Sequence, residues 1–172
     1  MSVTADPIRA FTPNGPQLAS SLSLRLLTHR GLMTPRLKAV FGAMRAEQAT
    51  TKQGDEGLTR TSRLVSIATG HTILRAKLHI VDTHLPVSLV QQLCETSELF
   101  GQLLHDHDID VAVAEPQLFQ TPDGCFGRTT TLTEAASNLP ICDVIETLSH
   151  DDQLAVIAKQ HTLAKSQSQQ AY

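Results

Sequence analysis

Polar and apolar positions alternate with two different periods along this chain, and the change of period marks out its elements. Residues 1–16 carry Pro7, Pro13, Gly15 and Pro16, a composition that opposes regular structure and predicts a loose N-terminal arm. From Gln17 to Thr28, Leu18, Leu22, Leu26 and Leu27 recur at helical spacing. Thr34-Pro35 supplies a cap followed by a first-turn proline, and Leu37, Val40 and Phe41 form the stripe of a second helix that Gly42 ends. From Ala43 the period becomes that of strands. One run reaches Thr51, a second covers Arg60 to Ala68, and a third ends at Asp82, with turns at Gly54-Asp-Glu-Gly57 and Thr69-Gly70. Helical spacing returns after Pro86 (Leu89, Val90, Leu93) and from Leu99 to Leu104. Further strands are predicted at Ile109–Glu115, Phe126–Leu132 and Ile141–Leu148, the first two joined by a turn at Pro122-Asp-Gly124.

A short amphipathic helix from Asp151 to Lys165 and a polar, fraying tail close the chain. The sum is an α+β domain over 17–150: a single antiparallel sheet of about six strands with helices packed to one side. No crossover helix alternates with the strands, and no glycine-rich nucleotide loop is present.

Two charges break the strand pattern. In Arg60–Ile67, period two groups Arg63 with Val65 and Ile67, and in Ile141–Leu148 it groups Glu146 with Val144 and Leu148. A charge on a core-facing side is costly unless paired, so an inward Arg63 and an inward Glu146 point to a ligand cavity. Two other readings stay open: the pair bridges itself, or one strand is read one residue out of register, which turns its charge outward. Arg128 shares a face with Phe126 and Leu132, and reads equally as a sheet-edge residue.

Composition narrows the function classes. The 172 residues, 41% hydrophobic, suffice for one ordinary core. A net charge of -3, scattered Lys and Arg, and only 3% aromatics argue against a nucleic-acid partner. No apolar run approaches the roughly eighteen residues of a membrane span, and the N-terminus lacks the features of a secretory leader, so the expected location is cytoplasmic. Cys94, Cys125 and Cys142 are odd in number and form no CxxC, which fits reduced structural thiols. The His105-Asp106-His107-Asp108-Ile109-Asp110 cluster joins a helix to a strand and reads as a solvated linker, so no residue is assigned to a metal. No GxSxG elbow or SxxK pair supports a covalent mechanism.

The order of short motifs resembles the chorismate pyruvate-lyase family, enzymes that make 4-hydroxybenzoate from chorismate. Leu26-Leu-Thr-His-Arg-Gly-Leu-Met33-Thr34 is similar to the family's "Leu-Leu … Met-Thr" entry into a helix. Arg63 stands where the family places its substrate-carboxylate arginine, and Gly70 followed by Ala76-Lys77 resembles the "Gly-x-Pro, then Ala-Arg" hairpin. Leu85-Pro86, Leu99-Phe100-Gly101-Gln-Leu-Leu104, Phe126-Gly127-Arg128 and Pro140 to Glu146 look like the remaining segments, in order. Departures are Lys77 in place of arginine, no proline after Gly70 and a shortened insert before Arg63. Lysine keeps the charge but loses the bidentate fork, so a different acid could be preferred.

The resemblance implies a chorismate lyase-like fold and a cofactor-independent carbon–oxygen lyase releasing pyruvate. Glu146 would be the proton shuttle and Arg63 the clamp on one carboxylate. Lys77 or Arg128, with the backbone N–H of Phe100, would take the other, next to Met33, Thr34 and Gly101. Met33, Val65 and Leu148 are candidate walls. No cofactor and no metal are expected, and the protein would be a monomer or small homo-oligomer. Two alternatives remain. One is a non-catalytic aromatic-acid sensor of the same fold; such sensors usually follow a helix-turn-helix module, and the short stretch before Arg25 argues against that expectation. The other is a relative recruited to another lyase or cyclase step of secondary metabolism.

Overall fold

The computed structural model describes residues 9–170. Within it the chain runs β1 (Arg9–Ala10), α1 (Gly15–Ser20), α2 (Leu22–Leu27), α3 (Met33–Phe41), β2 (Met44–Gly54), β3 (Gly57–Ser66) and β4 (Thr72–Ile80). There follow α4 (Val87–Glu95), α5 (Phe100–Asp106), β5 (Val111–Val113), β6 (Gln117–Gln120), β7 (Phe126–Glu134), β8 (Pro140–Leu148) and α6 (Asp151–Gln169). The strands form one antiparallel sheet of eight, in the order β1-β6-β7-β8-β4-β3-β2, with β5 also paired to β7. This is the expected α+β architecture, with β1 and β6 added to the strands read from the pattern.

Those two strands are too short to establish an alternation. Arg9–Ala10 pairs with Phe119–Gln120, so the described part of the expected loose arm is an edge strand followed by α1, whose Asn14–Gln17 capping box overrides the local prolines. Residues 1–8 of that arm, and the last two of the expected frayed tail, lie outside the described residues. The single helix expected over Gln17–Thr28 is broken at Ser21, whose extended backbone ends α1 while its hydroxyl caps α2 by accepting from Leu24 N–H at 3.2 Å. α3 begins at Met33, so Thr34 lies inside its first turn rather than capping it. α6 extends to Gln169, beyond the expected stop at Lys165.

One face of the sheet carries the core. It holds two buried clusters side by side: Leu58, Leu78, Ile80, Leu132 and Val144 under α4 and α5, and Leu64, Leu74 and Leu148 under α2, α3 and α6. The other face presents Thr61, Arg75, Lys77, His79 and Asp143 to solvent. Each α6 anchor is specific: Leu154 and Ile157 are buried, and Asp151 accepts from Ser21 Oγ at 2.6 Å and from Ser23 N–H at 2.7 Å at the start of α2. Among the described residues no helix is long and apolar enough to cross a membrane.

Gly127 couples the sheet to the site described below. A Cβ there would lie 2.2 Å from the Phe119 ring and 2.6 Å from the Glu146 carbonyl oxygen, whose backbone has no freedom to retreat. Gly127→Ala is expected to destabilise the protein by about 1–3 kcal/mol, as overpacking does, seen as a lower denaturation midpoint at unchanged denaturant sensitivity; an unchanged midpoint would contradict this packing.

Candidate anion-binding cavity

The two core clusters do not meet. Between them, on the helix-covered face, one ladder row crosses the sheet as Ser62↔Ala76↔Glu146↔Arg128. Two of these side chains are small and two are charged, so the row cannot be filled with hydrocarbon as its neighbours are. The rows on either side are Leu64↔Leu74↔Leu148 and Arg60↔Leu78↔Val144↔Thr130. The gap over Ser62 and Ala76 is a cavity of about 70 Å³. Its roof is Leu32, Met33 and Thr34 at the start of α3 and Glu98 to Gly101 at the start of α5.

Arg128, 1% exposed, donates through Nε to Glu146 Oε2 at 2.6 Å. Its Nη1 and Nη2 donate to the carbonyls of His29 at 2.6 Å and Gly31 at 3.1 Å. The one guanidinium therefore fixes the neighbouring strand and the strap that leads into Met33. Three of its five N–H groups are used by these bonds, which leaves donors for a guest. Among the described residues the second oxygen of Glu146 accepts no hydrogen bond, and the carboxylate lines the cavity. Burial, then the charges of Arg36 and Arg128, push the His29 pKa below its ordinary value, so its ring is neutral at pH 7.

Arg60 is the second buried cation, 2% exposed. Its Nη1 donates to the Leu93 carbonyl, and its Nη2 to the carbonyls of Glu98 at 2.7 Å and Thr96 at 3.3 Å. These are last-turn and post-helix oxygens of α4, where a cation complements the helix dipole. Among the described residues no carboxylate lies within ion-pair distance of it, and burial pushes its pKa below the ordinary arginine value. Carbonyl dipoles hold the group in place without cancelling its charge. With its Nη groups committed to these carbonyls and, at 3.5 Å, to Thr51 Oγ1, Arg60 has its Nε–H and its uncancelled charge left to offer an organic anion.

The cavity gathers Met33, Thr34, Phe100, Gly101, Arg128 and Glu146 from the sequence-derived set. It does not include Arg63 or Lys77. Arg63 lies on the opposite face, opposite Glu47 and Arg75, and donates to Glu47 at 2.6 Å; with Arg45, it holds the Glu47 carboxyl below its usual range. Lys77 is exposed on that same face, opposite Ile145. The expected meeting of Arg63 with Glu146 therefore does not occur, because the face that Arg63 shares with Val65 is the outer one. β3 itself keeps its period, pairing regularly with β2 from Glu47↔Arg63 through Arg45↔Val65 to Met44↔Ser66. The irregularity beside it falls on β4, where Ile73 is passed over between Leu64↔Leu74 and Val65↔Thr72. Arg63 and Val65 do share a face, but the core-facing side of the strand is that of Leu58, Arg60 and Leu64. Val65 is buried but does not line the cavity, and Ile67 is exposed. Leu148 sits in the adjacent row rather than in the wall. Arg128 is neither an edge residue nor exposed. Arg60 is the residue that pattern reading missed, although it keeps strict period two with Leu58 and Leu64, both buried.

Removing one member of the Arg128–Glu146 pair leaves the other buried and unpaired. Glu146→Ala is expected to cost about 3–5 kcal/mol in chemical denaturation, whereas Arg128→Met combined with Glu146→Leu recovers most of that loss. Equal losses in the single and double variants would mean that the pair is not energetically coupled.

No protein-family model matches the chain, and none of the curated proteins matches it significantly.

Proposed function

We propose that the protein is a cofactor-independent lyase of the chorismate pyruvate-lyase type, releasing pyruvate from chorismate to leave 4-hydroxybenzoate. The observation that carries this reading is the placement of two buried arginines and one buried carboxylate in a single cavity with otherwise largely apolar walls, roofed by Met33-Thr34 and by Glu98 to Gly101 with the exposed Glu98 at the rim. A substrate with two carboxylates on an apolar ring needs two cationic holds separated by a slot. Arg60 is assigned one carboxylate in place of Arg63, and the spare donors of Arg128 the other, with the N–H of Phe100 alongside.

The chemistry then asks little of the protein. The ether bond from the ring to the enolpyruvyl group breaks, its electrons leaving on oxygen. The neighbouring ring carbon, which bears the hydroxyl, gives its proton to Glu146, and the ring becomes aromatic. Glu146 returns a proton to the methylene carbon of the enolpyruvate, which ends as pyruvate. Orientation of the substrate and general acid–base transfer, the latter worth roughly a hundred- to ten-thousandfold, are the expected contributions. The cavity of about 70 Å³ is well below the ~300–1,000 Å³ of sites for drug-sized ligands. Entry of the whole substrate therefore requires the roof segments to move apart.

Incubating the purified protein with chorismate is expected to yield 4-hydroxybenzoate and pyruvate in equal amounts. Glu146→Gln is expected to lower turnover at least a hundredfold while leaving affinity for 4-hydroxybenzoate within a few-fold. Binding of the aromatic acid without either product would identify a sensor, and a different product would identify another lyase or cyclase step. Full turnover by the Gln variant would remove Glu146 from the mechanism.

A further inference from the structure

Away from the cavity, three unlike metal-binding side chains converge. Asp123 and Cys125 lie on the turn between β6 and β7, and His150 lies at the junction of β8 and α6. One ligand atom from each falls within 4.8 Å of the others, the one such group of three among the described residues. The residues come from stretches of chain that are distant in sequence, so local chain geometry alone does not account for their meeting.

The turn holds its two contributors in place. Thr121 N–H donates to the Cys125 carbonyl at 2.8 Å, Cys125 N–H donates to Thr121 Oγ1 at 3.0 Å, and Gly124 takes a φ of +89° that favours glycine. Thr121 Oγ1 also donates to Asp123 Oδ1. That bond aims the second oxygen, Oδ2, at Cys125, whose Sγ lies 3.8 Å away. Two ligands of one tetrahedral zinc ion, at ~2.3 Å for sulfur and ~2.0 Å for oxygen, stand roughly 3.5 Å apart. The sulfur–oxygen separation is therefore already close to that of a metal site, and a hydrogen bond from a neighbouring hydroxyl to a ligating carboxylate is the usual outer support. On the other side, Ser149 N–H donates to the Ile73 carbonyl at 3.0 Å and Leu154 N–H to the His150 carbonyl at 3.0 Å, which fixes the backbone that presents the imidazole.

We propose that Asp123, Cys125 and His150 form a binding site for a divalent transition-metal ion of zinc-like preference. One thiolate, one imidazole and one carboxylate make a borderline-soft set that suits zinc or cobalt rather than magnesium or calcium. The alternative, a Cys–His–Asp nucleophile, fits less well. Asp123 faces the thiol instead of orienting the imidazole, and burial with the Asp123 charge pushes the Cys125 thiol up from its ordinary pKa, the reverse of an activated nucleophile. A cation reverses that balance, and Cys125 releases its proton to solvent on binding. Asp123 and His150 are exposed and Cys125 is half-buried, so the ion keeps an open position to water. Bound there, it ties the β6–β7 turn to the start of α6.

The test is a Co2+ titration of the full-length, chelator-treated protein in a non-chelating reductant. A sulfur-to-cobalt charge-transfer band that saturates at one equivalent and is displaced by Zn2+ is expected. Cys125→Ser is expected to abolish the band and His150→Ala to weaken binding at least tenfold, while Cys94→Ser leaves both unchanged. Zn2+ is expected to raise the thermal midpoint of the wild type and not that of His150→Ala. Asp123→Asn, an exposed and conservative change, supplies an independent reading should Cys125→Ser not fold, with at least tenfold weaker binding expected. Absence of the band in the wild type, its persistence in Cys125→Ser, or unchanged affinity in both Asp123→Asn and His150→Ala would overturn the site.

Discussion

The buried ion pair between Arg128 and Glu146 is the interaction on which the arrangement of the cavity depends. Two charges on one ladder row cannot be left in a hydrocarbon core without each other, and their neighbours on that row, Ser62 and Ala76, are too small to close the space beside them. The void between the two apolar clusters is therefore a consequence of four residues in register. The same guanidinium also holds the carbonyls of His29 and Gly31, so the strap entering α3 is positioned by the floor beneath it.

Arg60 does for the opposite roof what Arg128 does for the strap. Its bonds to the carbonyls of Leu93, Thr96 and Glu98 fix the segment that delivers Phe100 and Gly101. Each arginine thus ties one roof segment to the sheet and lends positive charge to the cavity, but only Arg128 has a carboxylate to balance it. The asymmetry leaves Arg60 at the cavity wall as a buried cation without an ion-pair partner among the described residues, and the proposed anion would supply one. It also means that mutating either arginine acts on structure and on binding together, so matched controls from the outer face of the sheet are needed to separate the two.

Much of this was legible in the residues. Glu146 was found by alternation alone because β8 runs without a bulge through Val144 and Leu148. The Met33-Thr34 and Phe100-Gly101 roof came from motif order, as did Arg128, whose inward face also followed from its phase with Leu132. Arg63 was misassigned because Val65 and Ile67, which share its phase, do not mark the inward side: Val65 is buried outside both core clusters and Ile67 is exposed. The conflict was present in the sequence, however: Leu58 and Leu64 define one phase and Val65 and Ile67 the other, and only the first carries members of the core clusters. β6 and β1 are too short to show a pattern, and the approach of His150 to Asp123 and Cys125 depends on where α6 starts in space, which no spacing along the chain encodes.

The most direct test is calorimetric titration of 4-hydroxybenzoate into wild-type protein, Arg60→Met and Arg63→Ala, each first shown to be folded. The account predicts that Arg63→Ala binds as the wild type does and that Arg60→Met binds roughly ten- to a hundredfold more weakly, the size of a lost charged hydrogen bond. Weakened binding in Arg63→Ala with unchanged binding in Arg60→Met would contradict it.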